Sequence, residues 1–226
     1  SHISKFFPGV KALDDVSFNI KKGCVHSIVG ENGAGKSTMM KILDGIYRAD
    51  EGEVLIDGKK AEIRNSKDAE NYGIAMIHQE LAFCPNMTIE ENFFTNNHPL
   101  IKGTHLVDWK RITRETEQIM KEENLHYSPK TLLKDISISD IQMLAILKAT
   151  RANASIIIMD EPTSSLTQHE TARLFEKINA LRAKGYTIIY ISHKMDEIFE
   201  LSDQITVMRD GHSVATMDAK DVTRDE

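Results

Sequence analysis

Short apolar runs alternate with longer stretches that repeat their apolar residues at helical spacing along most of this chain. This alternation predicts strands and helices layered as an α/β domain. The run 155–160, Ser-Ile-Ile-Ile-Met-Asp, does not alternate with polar residues, which favours a central strand covered on both faces. The predicted strands span residues 16–20, 25–29, 53–57, 74–77, 155–160, 187–191, 204–208 and 213–216.

The region between residues 88 and 151 lacks strand-like runs and is rich in polar, helix-compatible sequence. Helical patterns at 108–123 and 139–151 predict a helical lobe at about 88–151, with an α/β core at about 1–87 and 152–226. Two capping boxes, Thr88 with Glu91 and Thr167 with Glu170, mark helix starts, because hydroxyl and carboxylate each satisfy a backbone donor.

Composition narrows the class of protein. The 226 residues are 41% hydrophobic and 27% charged, which suffices to bury a core without disulfides or metal. The net charge of −6 argues against a protein that coats nucleic acid, since neutralising phosphates requires an excess of Lys and Arg.

Cys24 and Cys84 are too few for a disulfide framework or a four-ligand zinc site and indicate reduced thiols in a cytosolic chain. The apolar runs are far shorter than the roughly 20 residues that cross a bilayer, so a membrane role must come through a partner.

A glycine-rich loop follows the apolar strand predicted at 25–29 and precedes the helical run 39–43. Its residues are Gly30, Glu31, Asn32, Gly33, Ala34, Gly35, Lys36, Ser37 and Thr38. They fit the phosphate-binding pattern G-x-x-x-x-G-K-[ST], whose glycines let backbone N–H groups and a helix N-terminus face phosphate oxygens. Lys36 is expected to contact the β and γ phosphates of a nucleotide, and the Ser37 hydroxyl to bind magnesium.

Two carboxylates stand at the end of the predicted central strand, at the sheet edge where α/β proteins gather ligands. Asp160 is expected to orient magnesium through water, and Glu161 to polarise the attacking water as a general base. Taken alone, the Asp-Glu-Pro sequence could merely end a strand and open a turn. The phosphate loop upstream favours the catalytic interpretation.

With this loop and this carboxylate pair, nearly the whole chain resembles the ATP-binding cassette family. The resemblance implies a P-loop NTPase fold, with a mixed central sheet, an antiparallel β region and an α-helical lobe, that binds ATP and Mg²⁺ between two cassettes. Phe7 matches the aromatic residue that stacks on adenine, with core packing as the alternative. Gln79 matches the glutamine that contacts magnesium or water and relays nucleotide state to a membrane subunit. His193, after a predicted strand, matches the histidine that contacts the γ phosphate.

One family motif is altered. Leu-Ser-Gly-Gly-Gln normally begins a helix of the lobe and presents its serine to the γ phosphate held by the other cassette. Here Ser137 survives, but Ile138 and Ser139 replace the two glycines and Asp140 replaces the glutamine. Side chains where backbone should approach phosphate, and a carboxylate nearby, predict a weaker composite site on this side. The nucleotide site built on Lys36 is unaffected, since the serine motif that completes it comes from the other cassette.

This pattern resembles the first cassette of bacterial monosaccharide importers whose ATPase subunit carries two cassettes in one polypeptide. The expected cargo is galactose or a methyl galactoside, with ribose and xylose as alternatives. The resemblance implies membrane-spanning permease subunits and a second cassette as partners, a periplasmic sugar-binding protein as an indirect one, and a peripheral position on the inner face of the cell membrane. Residues 1–4 leave little room for the strand that usually precedes Phe7, and a second cassette is expected to follow residue 226. An isolated first cassette is expected to hydrolyse ATP slowly.

Two other functions use the same loop. A cassette protein that remodels nucleic acid or ribosomes is disfavoured by the acidic charge and the lack of a basic arm. A small-molecule phosphotransferase is disfavoured because the sequence indicates no pocket for a phosphate acceptor, and because Glu161 suits the activation of water.

Overall fold

A computed structural model describes residues 1–78, 83–95, 98–151 and 154–222. The chain divides into two compact units, one formed by Ser1–Gln79 with Ala149–Glu226 and the other by Glu80–Lys148. Within the described residues, no helix combines the length and apolarity needed to span a bilayer.

The first unit is built on a six-stranded sheet in which most neighbouring strands run parallel. Only its edge pair, β9 (Gln204–Arg209) with β10 (His212–Asp218), is antiparallel within the described residues. The isoleucine-rich strands β7 (Ile156–Asp160) and β8 (Thr187–Ile191) lie inside the sheet and are almost wholly buried, as the unbroken apolar run at 155–160 predicts. The sheet order is β10 (His212–Asp218), β9 (Gln204–Arg209), β3 (Val25–Val29), β8 (Thr187–Ile191), β7 (Ile156–Asp160) and β6 (Ile74–Ile77).

Two antiparallel hairpins accompany this sheet and supply the predicted antiparallel region. One pairs β1 (Ile3–Phe7) with β2 (Val10–Val16), and the other pairs β4 (Val54–Ile56) with β5 (Lys59–Ala61). The predicted strand at 16–20 is therefore wrong: its first residue ends β2, and the rest is irregular. The expectation that residues 1–4 leave little room for a strand before Phe7 is also wrong, because β1 begins at Ile3.

Four helices of the first unit belong to the described part of the chain: α1 (Lys36–Leu43), α2 (Ser66–Asn71), α6 (Gln168–Ala183) and α7 (Met195–Leu201). The capping box of α6 is present, with the Thr167 hydroxyl accepting from the Glu170 amide and the Glu170 carboxylate accepting from the Thr167 amide. The core beneath them buries Leu13, Met40, Ile158 and Met208.

The second unit is helical, with α3 (Ile89–Phe93), α4 (Trp109–Glu122) and most of α5 (Ile138–Arg151), besides the short 3₁₀ helix Leu133–Asp135. The helices predicted at 108–123 and 139–151 are confirmed to within a residue at each end. The predicted capping box of Thr88 and Glu91 starts α3. Ile112, Met120 and Leu144 are among the residues of this unit's own hydrophobic core.

Candidate functional site

The glycine-rich loop joins a fully buried strand to an uncapped helix. All of β3 is buried, and α1 begins at Lys36, so that the last three residues of the motif form the first turn of the helix. Gly35 is the N-cap residue, and no described side chain bonds to the first amides of α1. The first four N–H groups of a helix lack partners within the helix, and they attract anions. The loop therefore presents backbone donors at its open side.

Glycine is required at two positions of this loop by close backbone contacts. A Cβ on Gly30, whose φ is 153°, would stand 2.1 Å from the Met208 carbonyl oxygen. A Cβ on Gly35, with a φ of 98°, would stand 2.7 Å from the Ala12 carbonyl oxygen. Gly33 also has a positive φ, 87°, but a Cβ there would meet nothing within 4 Å. At Gly33 the backbone conformation alone, and not packing, favours glycine.

Lys36 folds back over the loop. Its Nζ donates to the carbonyl oxygens of Gly30, at 2.6 Å, and Glu31, at 2.9 Å, and the residue is only 8% exposed. A buried ammonium group is stable only with such acceptors. The lysine charge is thereby held against the loop, next to the first amides of α1.

One cavity of about 1030 Å³ unites most of the residues that the sequence singled out. Among the residues that line it are Phe7, Gly30, Glu31, Asn32, Gly33, Ala34, Gly35, Lys36, Ser37, Thr38, Asp160, Glu161 and His193. They come from the β1–β2 hairpin, the loop after β3 and the carboxyl ends of β7 and β8. The parallel strands bring these distant segments to one edge of the sheet.

Asp160 ends β7 and pairs in register with Ile191 of β8. Burial, followed by the neighbouring Glu161 carboxylate, raises the pKa of Asp160 above its ordinary value, against the opposing charges of His78 and Lys36. Keeping a partly buried carboxylate ionised beside another is costly. A cation in the cavity would relieve this cost.

Glu161 adopts a left-handed backbone conformation, with a φ of 47°. Its amide donates to the Ile191 carbonyl oxygen at 2.9 Å, which holds the residue against the end of β8. Its Oε1 lies 3.1 Å from Nδ1 of His193, whose side chain is 61% exposed. A non-glycine residue in this region of φ is strained and is often found at functional sites.

Phe7 stands at the β1–β2 end of the cavity and is half-buried. Its ring packs edge-on against Tyr47, with centroids 5.3 Å apart, and Lys5 Nζ lies 5.6 Å from its centroid. These contacts show the packing role, whereas stacking on adenine stays a prediction. The ring is fixed by its neighbours and also borders the cavity.

Other residues line the cavity without having been predicted, namely Val10, Lys11, Ala12, Ile191, Asp210 and Gly211. The Gly211 amide donates to the Ala34 carbonyl oxygen at 3.3 Å, so the β9–β10 turn braces the phosphate loop. The Asp-Gly pair between two strand-like runs is a hairpin signal that could have identified this turn.

Gln79 lies outside the described residues. The preceding residue, His78, has Nε2 at 3.6 Å from Asp44 Oδ2, and the Asp44 carboxylate raises the pKa of His78. In the described part of the chain, no three His, Cys, Asp or Glu side chains cluster as a metal site.

Ser137, Ile138, Ser139 and Asp140 belong to the second unit, where they begin α5. The Ser137 hydroxyl donates to Asp140 Oδ2 at 2.9 Å and accepts from the Asp140 amide at 3.1 Å. The Tyr127 hydroxyl donates to the same carboxylate oxygen at 2.8 Å. A carboxylate of this chain thus occupies the position at which a helix N-terminus attracts an anion.

Comparison with known proteins agrees with this geometry. The sequence profile described as ABC transporter matches residues 13–164. The galactose/methyl galactoside import ATP-binding protein MglA of Clostridium tetani is 48% identical over 225 residues, which cover 99% of this chain and 45% of that protein. The ribose import ATP-binding protein RbsA of Caldanaerobacter subterraneus is 47% identical over 99% of this chain and 45% of that protein.

Solved structures share the fold. The ADP conformation of an ATP-binding cassette of an ABC transporter aligns with a TM-score of 0.83 and 27% identity over 98% of this chain and 92% of that one. The curated relatives are longer, and the chain spans 45% of the C. tetani protein. The profile match covers more than half of the chain, and the chain belongs to the ABC transporter family as an ATP-binding cassette.

Proposed function

We propose that this chain is the ATP-binding and hydrolysing motor domain of a bacterial sugar importer. The observation that carries the proposal is the single cavity shared by the loop around Lys36, the carboxylates of Asp160 and Glu161, and His193. Backbone donors and an ammonium suit a triphosphate at one end of this cavity, and carboxylates suit a metal and a water at the other.

The phosphate end of the cavity recognises the nucleotide through backbone amides and the Lys36 charge. On binding, Lys36 Nζ would exchange the carbonyl oxygens of Gly30 and Glu31 for phosphate oxygens. Phe7 supplies a π face for the base, which binds without strict base selection.

Mg²⁺ fits the oxygen donors that line this cavity. Asp160 and the Ser37 hydroxyl would hold it together with phosphate oxygens, and Gln79 is the third proposed ligand. The raised pKa of Asp160 shows that its negative charge is not fully stabilised by the surrounding residues, and a bound cation would stabilise it. When bound, Mg²⁺ supplies charge neutralisation at the β and γ phosphates.

Glu161 is the proposed general base and His193 the group that contacts the γ phosphate. The contact of 3.1 Å between them orients the imidazole from one side and one carboxylate oxygen from the other. The second oxygen of Glu161 then remains to accept the proton of an attacking water.

The wider function rests on the relatives. Their names describe import of galactose, methyl galactosides or ribose, and we extend monosaccharide import to this chain with a galactoside as the first candidate cargo. Membrane permease subunits and a second cassette are the proposed partners, and a periplasmic binding protein acts indirectly. The chain would then work in the cytoplasm, peripherally on the membrane.

Nucleotide binding tests the proposal directly. Isothermal titration with Mg·ATP should give saturable binding that Lys36→Ala abolishes, while Lys22→Ala, at an exposed residue before β3, leaves it unchanged. Glu161→Gln should retain ATP affinity but stop ATP hydrolysis when the chain is paired with a second cassette. Absence of ATP binding by the unmodified chain, or equal affinity in Lys36→Ala, would remove the proposal.

A cellular assay tests the cargo. Cells that depend on the full-length importer should lose uptake of labelled galactose, and not of ribose, when Lys36→Ala is introduced. Loss of ribose uptake alone would transfer the assignment to the other sugar.

A further inference from the structure

A buried carboxylate outside the nucleotide cavity collects hydrogen bonds from both catalytic segments. Glu197, in α7, is 7% exposed. The Thr163 hydroxyl lies 2.7 and 2.8 Å from its two oxygens. Its Oε2 also accepts from the Ser192 hydroxyl at 2.9 Å and the Tyr190 hydroxyl at 2.7 Å. All three donors are themselves at most 2% exposed.

Two of these donors sit beside residues of the proposed catalytic site. Thr163 follows Glu161 by two positions, and Ser192 immediately precedes His193. The third donor, Tyr190, belongs to β8 and to neither loop. Because one carboxylate binds both loops, a displacement of either loop would cost a buried hydrogen bond.

Lys194 closes the cluster on its outer side. Its Nζ lies 3.1 Å from Glu197 Oε1 and donates to the Thr163 carbonyl oxygen at 3.2 Å. The Leu166 amide donates to the same carbonyl oxygen at 3.2 Å. The segment after Glu161 is thus fixed through both its side chain and its backbone.

The carboxylate is ionised in this setting. Burial raises the pKa of Glu197, but the hydrogen bonds from Thr163, Tyr190, Lys194 and Ser192 outweigh it and hold the pKa below the ordinary value. A buried charge with four donors is held firmly in place, because moving it would break several of these hydrogen bonds at once.

We propose that Glu197 is a positioning residue that sets the 3.1 Å contact between Glu161 and His193 by tethering Thr163 and Ser192. The inference rests on the proposed function for its catalytic consequence, but the tether itself is a property of the fold. Glu197 does not touch the nucleotide cavity and therefore acts only through its two loops.

The three donors provide matched variants. Thr163→Val and Ser192→Ala each remove a loop tether, whereas Tyr190→Phe removes a hydrogen bond of similar length to the same oxygen without touching either loop. Glu200→Gln, at an exposed residue of the same helix, controls for a change of charge. Urea unfolding gives the free energy of unfolding of each variant, so that changes in kcat can be compared between variants of known stability.

Two readouts separate positioning from simple destabilisation. We expect the loop variants to lower kcat by about 10-fold to 100-fold with KM unchanged, because small misplacements of reacting groups have such effects. Tyr190→Phe should leave kcat within about twofold of the unmodified chain, since its loss is worth only a buried hydrogen bond to the scaffold. Equal losses of kcat in Tyr190→Phe and the loop variants would overturn the proposal.

The second readout does not need turnover. The imidazole resonance of His193, assigned with His193→Gln, should move in Glu161→Gln and move in the same direction in Thr163→Val and Ser192→Ala. It should stay in place in Tyr190→Phe and Glu200→Gln. A His193 resonance that ignores both loop variants would overturn the positioning role even if ATP binds. Failure of ATP binding with the expected resonance shifts would instead reject the proposed function alone.

Discussion

Glu161 and His193 meet because Asp160 and Ile191, the residues that end β7 and β8, are register partners in a parallel pair. Each functional side chain follows its strand by one or two residues. A shift of one residue in this register would separate the carboxylate from the imidazole and exchange the two faces of a strand, so that its buried side chains would no longer fit their neighbours. The buried isoleucines of the two strands therefore fix the catalytic geometry as well as the core.

The loop glycines should differ in how much alanine they tolerate. Gly30→Ala should destabilise the nucleotide-free protein most, because its Cβ would lie 2.1 Å from a backbone oxygen of β9. Gly33→Ala meets no atom within 4 Å and should cost only the backbone penalty of about 1–2 kcal/mol. Free energies of unfolding in urea measure both changes.

Gly58 supplies a matched control for Gly33. It has a φ of 75°, also meets nothing within 4 Å, and lies in the β4–β5 turn outside the cavity. Gly58→Ala and Gly33→Ala should lose similar stability, but only Gly33→Ala should weaken ATP binding. Equal ATP affinities of the two variants would argue against backbone donors around Gly33 as ligands.

Asp160→Asn should stabilise the protein in the absence of nucleotide. The folded state raises the pKa of Asp160 above the ordinary value of 3.8, so above that value folding must keep ionised a carboxylate that the unfolded chain ionises more easily. The amide removes this cost at pH 7, and the gain should fade as pH falls and the carboxylate takes up a proton. Thermal melting at a series of pH values measures the gain.

The same substitution should abolish the dependence of ATP binding on Mg²⁺. A variant with a higher melting temperature that binds ATP equally well in magnesium and in EDTA would show that Asp160 lowers stability in order to bind the metal. Lower stability at pH 7 would contradict the stated cause of the pKa shift.

His26 should make the protein sensitive to mild acid. The residue is buried in β3, with Nε2 at 2.7 Å from Thr206 Oγ1, and burial lowers its pKa from 6.5 to about 4. The unfolded chain binds this proton first, so stability present above pH 6.5 is lost as pH falls toward 4. The shift corresponds to about 3 kcal/mol.

Urea unfolding between pH 7.5 and pH 4.5 measures this loss. His26→Asn removes the titrating group, and its free energy of unfolding should fall less steeply over the same range. Parallel pH profiles for the variant and the unmodified protein would exclude His26 as the cause.

The fold could be predicted where local signals agree with burial. Capping boxes at Thr88 and Thr167 depend on neighbouring residues, and both are formed. The strand β2 escaped prediction because Asp14 and Asp15 are poor strand formers. Its pairing with β1 is a tertiary contact, and that pairing, with Leu13 and Val16 buried beneath it, overrides the propensity.

The candidate site divides in the same way. The loop 30–38 and the Asp160–Glu161 pair are contiguous motifs, so the sequence alone identifies them. Glu197 is separated by 34 residues from Thr163, and nothing in the sequence marks it as different from the exposed Glu200. Only packing of α7 against the ends of β7 and β8 reveals which glutamate is buried.

Asp140 should weaken the composite site that this chain offers to a second cassette. Its carboxylate accepts from the Ser137 hydroxyl at 2.9 Å, so the serine is already engaged and a negative charge stands at the place where we predict that the γ phosphate of the other cassette approaches. Asp140→Asn keeps the shape of the side chain and removes the charge. In a Glu161→Gln background that retains ATP, it should increase ATP-dependent self-association, measured by sedimentation velocity. Asp135→Asn, at an exposed residue before the same helix, is the control for net charge. If both variants associate equally with ATP, the charge at Asp140 has no specific role in the signature.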